Sequence, residues 1–273
     1  ISFLFKAFSQ KTGVPLKELL NNDKEKLSKL SDNLKKNVIG QDEAIDAVCS
    51  AVRRQRSGLA DGNKPQVFLF VGKTGCGKTL LAKKLSEQLY GSENCMVRFD
   101  MSEYSDKTSV NKLTGSSSGY VGYDDGGVFT EAVKKNRRCV ILLDEIEKAD
   151  DDVFDVFLQV FEEGRLTDNK GITVDFSDTI IIMTSNIGMK DVEDKGLMVG
   201  FNKNTESGYD KDIILKAIKK RFKPEFINRI NNIVYFNPLN DENIKLIIIN
   251  ELKKLGERVK KAGYVLSETV YKS

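Results

Sequence analysis

Apolar runs and helical patterns alternate along the central part of the chain. The apolar runs, which are typical of strands buried on both faces, lie at 67–71, 96–99, 140–143, 180–183 and 233–236. The helical patterns, in which apolar residues recur every three or four positions, lie at 80–89, 127–135, 153–162 and 213–222. This alternation predicts an α/β fold with a parallel sheet flanked by helices.

The two ends of the chain have different patterns. Residues 1–36 are polar and Lys-rich, with helical stretches at 16–20 and 27–34, and we interpret them as linker helices that arrive from something upstream. Residues 37–237 hold the α/β pattern. Residues 238–273 carry one long apolar stripe between Ile244 and Val259, which predicts the start of a small helical subdomain that is cut short.

Composition excludes several classes of function. The 43 Lys and Arg residues nearly balance the 40 Asp and Glu residues, so the net charge of +3 gives no basis for expecting a nucleic-acid partner. There is no His, which excludes Ser–His–Asp catalysis and His-ligated metal sites. The four Cys form no C-x-x-C pair. No apolar run reaches the roughly 18–20 residues of a membrane span, so we expect no membrane partner.

A phosphate-binding loop follows the first predicted strand. The segment GKTGCGKT at 72–79 fits the pattern G-x-x-x-x-G-K-[ST], with a buried strand before it and a helix after it. Glycines allow backbone N–H groups to wrap a phosphate, while Lys reaches the outer phosphates and Thr holds magnesium. The residues expected at the nucleotide are Thr74, Gly75, Cys76, Gly77, Lys78 and Thr79.

Polar residues end two of the later predicted strands. Asp144 and Glu145 follow the run at 140–143, and Asn186 follows the run at 180–183. Since ligands of parallel sheets bind at the carboxyl ends of the strands, Asp144 would hold magnesium through water and Glu145 would polarise the attacking water. Asn186 would bind the γ-phosphate or that water. The alternatives are a helix cap for the acids and a simple turn for Asn186.

Two further segments allow more than one interpretation. Arg229, in FKPEFINR, is either a surface ion-pair residue or, in a ring, an arginine finger that reaches the neighbour's γ-phosphate. Tyr120 and Val121 lie between glycines after a Ser-rich stretch. They form either a mobile loop that presents apolar side chains or a hairpin turn with Tyr120 in the core.

The order of the motifs resembles the second AAA+ module of the Clp ATPases. The matching segments are IGQDEAI, GKTGCGKT, RFDMSEYSD, SGYVGYDDGG, LLDEIEKAD, GRLTDNKG, MTSN and FKPEFINRI. The resemblance implies an αβα large subdomain, a small helical lid, a hexameric ring, and ATP or ADP with magnesium as cofactors. In the family pattern, Val38 and Ile39 match the adenine contact, and Glu145, Asn186 and Arg229 match the catalytic positions of Walker B, sensor 1 and the arginine finger.

The same resemblance implies polypeptide substrates. Tyr120 and Val121 match the pore loop that grips an unfolded or tagged polypeptide during translocation. The family's sensor 2 Arg would lie beyond Ser273. Lys73 stands where family members often have Pro, and GSSS at 115–118 replaces their usual run.

The segment at 189–210 decides which Clp type we expect. It is polar and Gly-containing, which predicts a loop that is disordered when unbound. Val199, Gly200 and Phe201 resemble the tripeptide that docks on a ClpP-type peptidase, although Phe201 could instead fold back onto its own domain. We therefore expect a ClpA/ClpC-type unfoldase that feeds a peptidase, in the bacterial cytoplasm or a plastid stroma. The alternatives are a ClpB-like disaggregase and a nucleotide-regulated scaffold or DNA-acting AAA+ protein.

Overall fold

A parallel sheet forms the centre of the molecule. The computed structural model describes residues 23–57, 63–115, 126–198 and 211–261. The five strands of this sheet are β1 (Gln66–Val71), β2 (Met96–Asp100), β3 (Val140–Asp144), β6 (Ile180–Ser185) and β7 (Asn232–Tyr235). Their spatial order is β2-β3-β6-β1-β7, and every neighbouring pair is parallel. The predicted strands and fold class are confirmed.

Helices surround the sheet, and they include those predicted at 80–89, 127–135, 153–162 and 213–222. They are α1 (Asp23–Asn37), α2 (Asp42–Arg56), α3 (Lys78–Tyr90), α4 (Val110–Thr114), α5 (Val128–Lys135), α6 (Asp151–Glu163), α7 (Met189–Met198), α8 (Lys211–Arg221), α9 (Pro224–Asn228) and α10 (Asp241–Lys261). Short 3-10 turns lie at Glu93–Cys95, Met101–Tyr104, Lys107–Ser109 and Ile146–Lys148. The helix predicted at 16–20 lies outside the described residues.

Alternate residues of each strand pack on opposite faces of the sheet. In β1, Phe68 and Phe70 pack with the helices α1, α2 and α3, whereas Val67 and Leu69 pack on the other face with α5, α6, α8 and α9. Because side chains alternate along a strand, a strand covered on both faces must be apolar throughout. This is the reason that the central strands have continuous apolar runs.

The first described helix is part of the core. Leu30 and Leu34 of α1 are 2% and 0% exposed, and they pack in the same cluster as Ile45 and Val48 of α2. The domain bounds remain a prediction, but α1 crosses the expected boundary between residues 36 and 37. Helix α1 is therefore more than a linker, because it packs against α2 and α3 in the core on one side of the sheet.

Two elements differ from the sequence expectation. The expected loop at 189–210 is wrong for its first half, because α7 is a helix whose Met189 is buried and whose Val192 packs against the core. A small antiparallel hairpin, β4 (Arg165–Thr167) and β5 (Thr173–Asp175), was not predicted. Its strands are three residues long and only the central residue of each is buried, so no apolar run marks them.

The last described helix is exposed along its length. The predicted stripe does form one helix, α10, but none of its residues is buried, and Leu246 and Ile248 are 51% and 52% exposed. Ile247 and its neighbours reach the edge of the cleft described below. No helix among the described residues is long and apolar enough to cross a membrane.

Candidate nucleotide site

The order of the strands brings the sequence-predicted polar residues to one edge of the sheet. β1, β6 and β3 are neighbours, so the loops that follow their carboxyl ends meet. A cleft of about 830 Å³ opens there. The predicted residues that line it are Val38, Ile39, Thr74, Gly75, Cys76, Gly77, Lys78, Thr79, Asp144, Glu145 and Asn186.

Glycines shape the loop between β1 and α3. Gly75 and Gly77 have φ of +81° and +103°, in the left-handed region that favours glycine. Gly72 is required for a different reason: a Cβ there would lie 2.8 Å from the Cβ of Phe236. Since α3 begins at Lys78, the loop ends at a helix N-terminus, where free N–H groups and the helix dipole favour an anion.

Lys78 lies across its own loop. Its Nζ donates to the carbonyl oxygens of Gly72 and Lys73, at 2.5 and 2.8 Å. Burial lowers the pKa of Lys78, and the nearby Cys76, Glu147 and Asp144 act in the opposite direction. A partly buried ammonium group at this position favours a multiply charged anion as its partner.

Asp144 is held by two partners. Its Oδ1 accepts a hydrogen bond from the Thr184 hydroxyl, and its Oδ2 accepts one from Arg98 Nη2 at 2.6 Å. Arg98 lies on β2 and Thr184 on β6, the two strands that flank β3. The carboxylate is only 14% exposed, so its orientation at the cleft is fixed from both sides.

Glu145 has a strained backbone. Its φ and ψ are 56° and 49°, and it is the only non-glycine residue with positive φ in the part of the chain that the structure describes. Such a conformation costs about 1–3 kcal/mol and is concentrated at functional sites. The Glu145 carboxylate accepts a hydrogen bond from Lys148 Nζ, and the Glu145 N–H donates to Thr184 Oγ1 at 3.1 Å.

Asn186 follows β6 directly and is exposed at the cleft. Its N–H donates to Glu147 Oε1 at 3.2 Å. The carbonyl of the preceding Ser185 accepts the N–H of Gly72 at 3.2 Å, which ties the end of β6 to the start of the phosphate loop. The carboxyl end of β6 therefore contacts the phosphate loop on one side and the acid pair on the other.

A buried glutamine joins the apolar end of the cleft to the phosphate loop. Val38 is 2% exposed, and Gln41, three residues later, is 1% exposed. The Gln41 side-chain amide donates to the carbonyls of Cys76 and Asn237, at 3.0 and 2.9 Å, and its oxygen accepts the Asn237 N–H at 2.9 Å. With these bonds, Gln41 fixes the segment of Val38 and Ile39 beside the loop.

Arg229 lies apart from this cleft. It is absent from the cleft lining, and its guanidinium pairs with Glu162 on α6, with Nη2 and Nε at 2.5 and 2.7 Å from Oε1. Both side chains are less than half exposed, at 42% and 43%. In the single chain Arg229 is thus the surface ion-pair residue that one of the two interpretations expects.

Five predicted residues belong to segments that the structure does not describe. The predicted pore-loop residues Tyr120 and Val121 lie outside the described residues, as do Val199, Gly200 and Phe201 of the predicted peptidase dock. Their roles stay predictions.

Three site residues were not predicted from the sequence. Gln41 lies within the motif IGQDEAI, and Arg98 and Thr184 lie in strands, but no spacing rule assigns a role to any of them. Arg98 and Thr184 reach Asp144 from 46 and 40 residues away in the chain. Only the strand order and register reveal these contacts.

The oxygen donors at the cleft suit magnesium rather than zinc. Among the described residues there is no group of three or more His, Cys, Asp or Glu that could hold a metal alone. Thr79 supplies a hydroxyl and Asp144 a carboxylate, and both line the cleft. Magnesium is usually bound by one or two such groups together with substrate phosphates and water. The residues present therefore fit the ion that the motifs imply.

Comparisons with family models, curated proteins and solved structures indicate the same family. The family model for the AAA domain (Cdc48 subfamily) matches residues 63–233. The chaperone protein ClpB of Clostridium perfringens is 50% identical over 265 residues, and that of Vibrio vulnificus is 46% identical over 259 residues. These alignments cover 96% and 94% of this chain but 30% of each relative. The chain thus spans less than a third of the length of these relatives.

Solved structures agree with this assignment. A closed-state cryo-EM reconstruction of Hsp104 with ATPγS and FITC casein has a TM-score of 0.79 and 42% sequence identity, and covers 94% of this chain and 43% of that chain. An ADP complex of Saccharomyces cerevisiae Hsp104 has a TM-score of 0.81 and 41% identity, and covers 93% of this chain and 35% of that chain. The relatives named ClpB do not support the expected closeness to ClpA and ClpC. The family model, the fold and the motifs agree, and the chain belongs to the AAA+ ATPase family, as a module of the Clp type that resembles ClpB and Hsp104.

Proposed function

We propose that this chain is the ATP-hydrolysing module of a ClpB-type protein-remodelling machine. The observation that carries the proposal is the convergence of a phosphate loop, two strand-end acids and an asparagine on one cleft beside an apolar segment. The lining sets the direction in which ATP would bind in this cleft. Its base would contact Val38 and Ile39, and its phosphates would lie on residues 74–79.

Within this proposal each polar residue has one task. The N–H groups of Thr74, Gly75, Cys76 and Gly77 bind the phosphates, and Lys78 neutralises the charge of the outer ones. Magnesium, held by Thr79 and by Asp144, would neutralise charge on the phosphates that face the reacting centre.

The remaining two residues act on the attacking water. Glu145 orients the water and accepts its proton, for which its carboxylate must leave Lys148. Asn186 donates from its side-chain amide to the γ-phosphate or to the water, a role like that of the glutamine in other nucleotide hydrolases.

Arg229 is proposed to act on a neighbouring subunit. Arg229 lies away from the cleft of its own chain. An arginine that supplies charge to a neighbouring subunit's nucleotide must lie outside its own cleft. Its contact with Glu162 is an exposed pair, which is worth about 0–1 kcal/mol and can be exchanged for a phosphate at little cost. A hexameric ring, as the resemblance to the Clp family implies, would bring Arg229 to the next cleft.

The proposed substrate is polypeptide. The relatives named chaperone protein ClpB and the Hsp104 reconstruction with FITC casein support this class of substrate. Tyr120 and Val121 are proposed to contact the passing chain, because an aromatic side chain can press on any backbone without sequence preference. No role for nucleic acid is proposed. The bacterial origin of the ClpB relatives favours the bacterial cytoplasm over a plastid.

A ClpP-type peptidase is not part of the proposal. The expectation of a peptidase partner depended on Val199, Gly200 and Phe201, which lie outside the described residues. The relatives above are ClpB chaperones, which supports the disaggregase alternative instead. The scaffold or DNA-acting alternative has no support from these relatives.

Reactivation of an aggregated reporter enzyme by the full-length protein tests this function. We expect ATP-dependent reactivation by wild type, loss of reactivation with retained ATPase activity in Tyr120→Ala, and retained reactivation in the matched control Tyr120→Phe. Addition of a ClpP-type peptidase should cause no degradation of the reporter. ATP-dependent degradation that Phe201→Ala abolishes would instead establish the unfoldase that feeds a peptidase.

A further inference from the structure

Thr184 is a buried hydroxyl to which the proposed ATP chemistry assigns no task. It lies in β6, all of whose residues are buried, and it is 1% exposed. The rest of the strand is largely apolar, with Ile180, Ile181, Ile182 and Met183 before it. A buried hydroxyl is costly unless it is hydrogen-bonded, so its partners indicate why it is there.

Both side-chain hydrogen bonds of Thr184 are with Asp144 and Glu145. Its hydroxyl donates to Asp144 Oδ1, and its Oγ1 accepts the N–H of Glu145 at 3.1 Å. The direction of each bond is determined by the partner, because an ionised carboxylate only accepts and a backbone N–H only donates. One side chain therefore orients the carboxylate of one acid and the backbone of the other.

The second of these bonds is at the point where the backbone is strained. The β3–β6 ladder ends at the pair Leu143 and Met183, so no main-chain group of β6 pairs with Glu145 in that ladder. Glu145 then turns into the left-handed region, with φ of 56°. Such a conformation persists only where neighbouring groups hold it. The Thr184 hydroxyl is the group that accepts the Glu145 N–H.

We infer that Thr184 is a positioning residue for ATP hydrolysis, which holds Asp144 and the strained turn at Glu145 in their working orientation. The inference deepens the proposed function and rests on the roles that it gives to Asp144 and Glu145. The phosphate loop is attached to β6 elsewhere, through the bond from the Gly72 N–H to the Ser185 carbonyl. Loss of the Thr184 hydroxyl therefore affects turnover rather than nucleotide binding.

Two substitutions separate the hydroxyl from the shape of the side chain. Thr184→Val keeps the branched shape and removes both hydrogen bonds, whereas Thr184→Ser keeps the hydroxyl and removes a methyl group. A misplacement of about 1 Å near reacting groups costs on the order of 10²-fold in rate. We expect Thr184→Val to lower kcat about 10- to 100-fold with KM for ATP within about threefold of wild type, and Thr184→Ser to restore most of kcat.

The test is ATP turnover against ATP concentration in the full-length protein for wild type, both Thr184 variants and Glu145→Gln. Wild-type kcat in Thr184→Val, or equal losses in the Val and Ser variants, would overturn the inference. A rise in KM that accounts for the whole loss would also overturn it, since it would indicate a damaged binding loop. If Glu145→Gln retains turnover, the proposed function fails as well, and that outcome is distinct from failure at Thr184 alone.

Discussion

Substitution of Leu34 tests whether α1 belongs to the folded module. Leu34 is fully buried, in a cluster that also contains residues of α2, α3 and the sheet. Replacing a buried Leu with Ala removes apolar contacts and leaves a cavity, which costs about 2–5 kcal/mol. For a domain of 150–250 residues, each kcal/mol shifts Tm by roughly 2–4 °C. Leu34→Ala should therefore lower Tm by about 4–20 °C.

The matched control is Asp32→Ala, on an exposed position of the same helix. A surface change of this kind stays within about 0.5 kcal/mol. Thermal unfolding followed by circular dichroism, with urea unfolding as a second measure, compares the two variants with wild type. Equal Tm values for Leu34→Ala and Asp32→Ala would mean that α1 is a linker that contributes nothing to the core.

Three further changes have expected outcomes in urea unfolding. Gly77→Ala should cost about 1–2 kcal/mol, because its Cβ has room but its φ of +103° is left-handed. Arg229→Ala should change stability by less than about 1 kcal/mol, because its pair with Glu162 is exposed. Asp168→Asn should cost about 1–3 kcal/mol at pH 7, because it breaks the contact of a buried carboxylate with Lys134 at 2.8 Å. Burial opposes the ionised form of Asp168, but Lys134 and backbone N–H groups hold its pKa below the usual value. This stabilisation is present above the unfolded pKa of about 3.9 and is lost as pH falls through the lower folded pKa, so wild type and Asp168→Asn should converge in strong acid.

For each of these three predictions, one result would contradict it. A neutral Gly77→Ala would mean that the loop adopts another backbone conformation. A loss well above 1 kcal/mol in Arg229→Ala would give that residue a structural role. A constant difference between wild type and Asp168→Asn across the acid range would exclude the ionised carboxylate as the source of stability.

The elements that the sequence predicts well are those with a strong hydrophobic pattern. The central strands are buried on both faces, and this leaves continuous apolar runs in the sequence. The overall polar composition of residues 189–210 favours a loop and obscures the helix α7. The spacing of Met189 and Val192, which pack on the core, was a helical signal within that segment.

The helix α1 is a different case. The spacing of Leu30 and Leu34 predicted a helix, and the helix is present. A pattern on one segment does not show which surface will cover it, so the sequence alone does not distinguish a linker from a helix that packs against α2 and α3.

The candidate site was predictable wherever a motif specifies it. Residues 74–79, Asp144, Glu145 and Asn186 follow from local patterns, and all of them line one cleft. Arg98 and Thr184 did not follow, because their contacts with Asp144 depend on which strands are neighbours and on their register. Cross-strand contacts of this kind are a property of the folded sheet.

The most direct test of the account is a paired measurement of ATP binding and ATP turnover at this cleft in the full-length protein. Glu145→Gln should bind ATP with near wild-type affinity and lose about 10²- to 10³-fold or more in turnover, because it removes water activation alone. Lys78→Ala should lose binding itself, because it removes the ammonium group at the phosphates. Turnover near the wild-type rate in Glu145→Gln would contradict the central claim that this cleft hydrolyses ATP with Glu145 as its base.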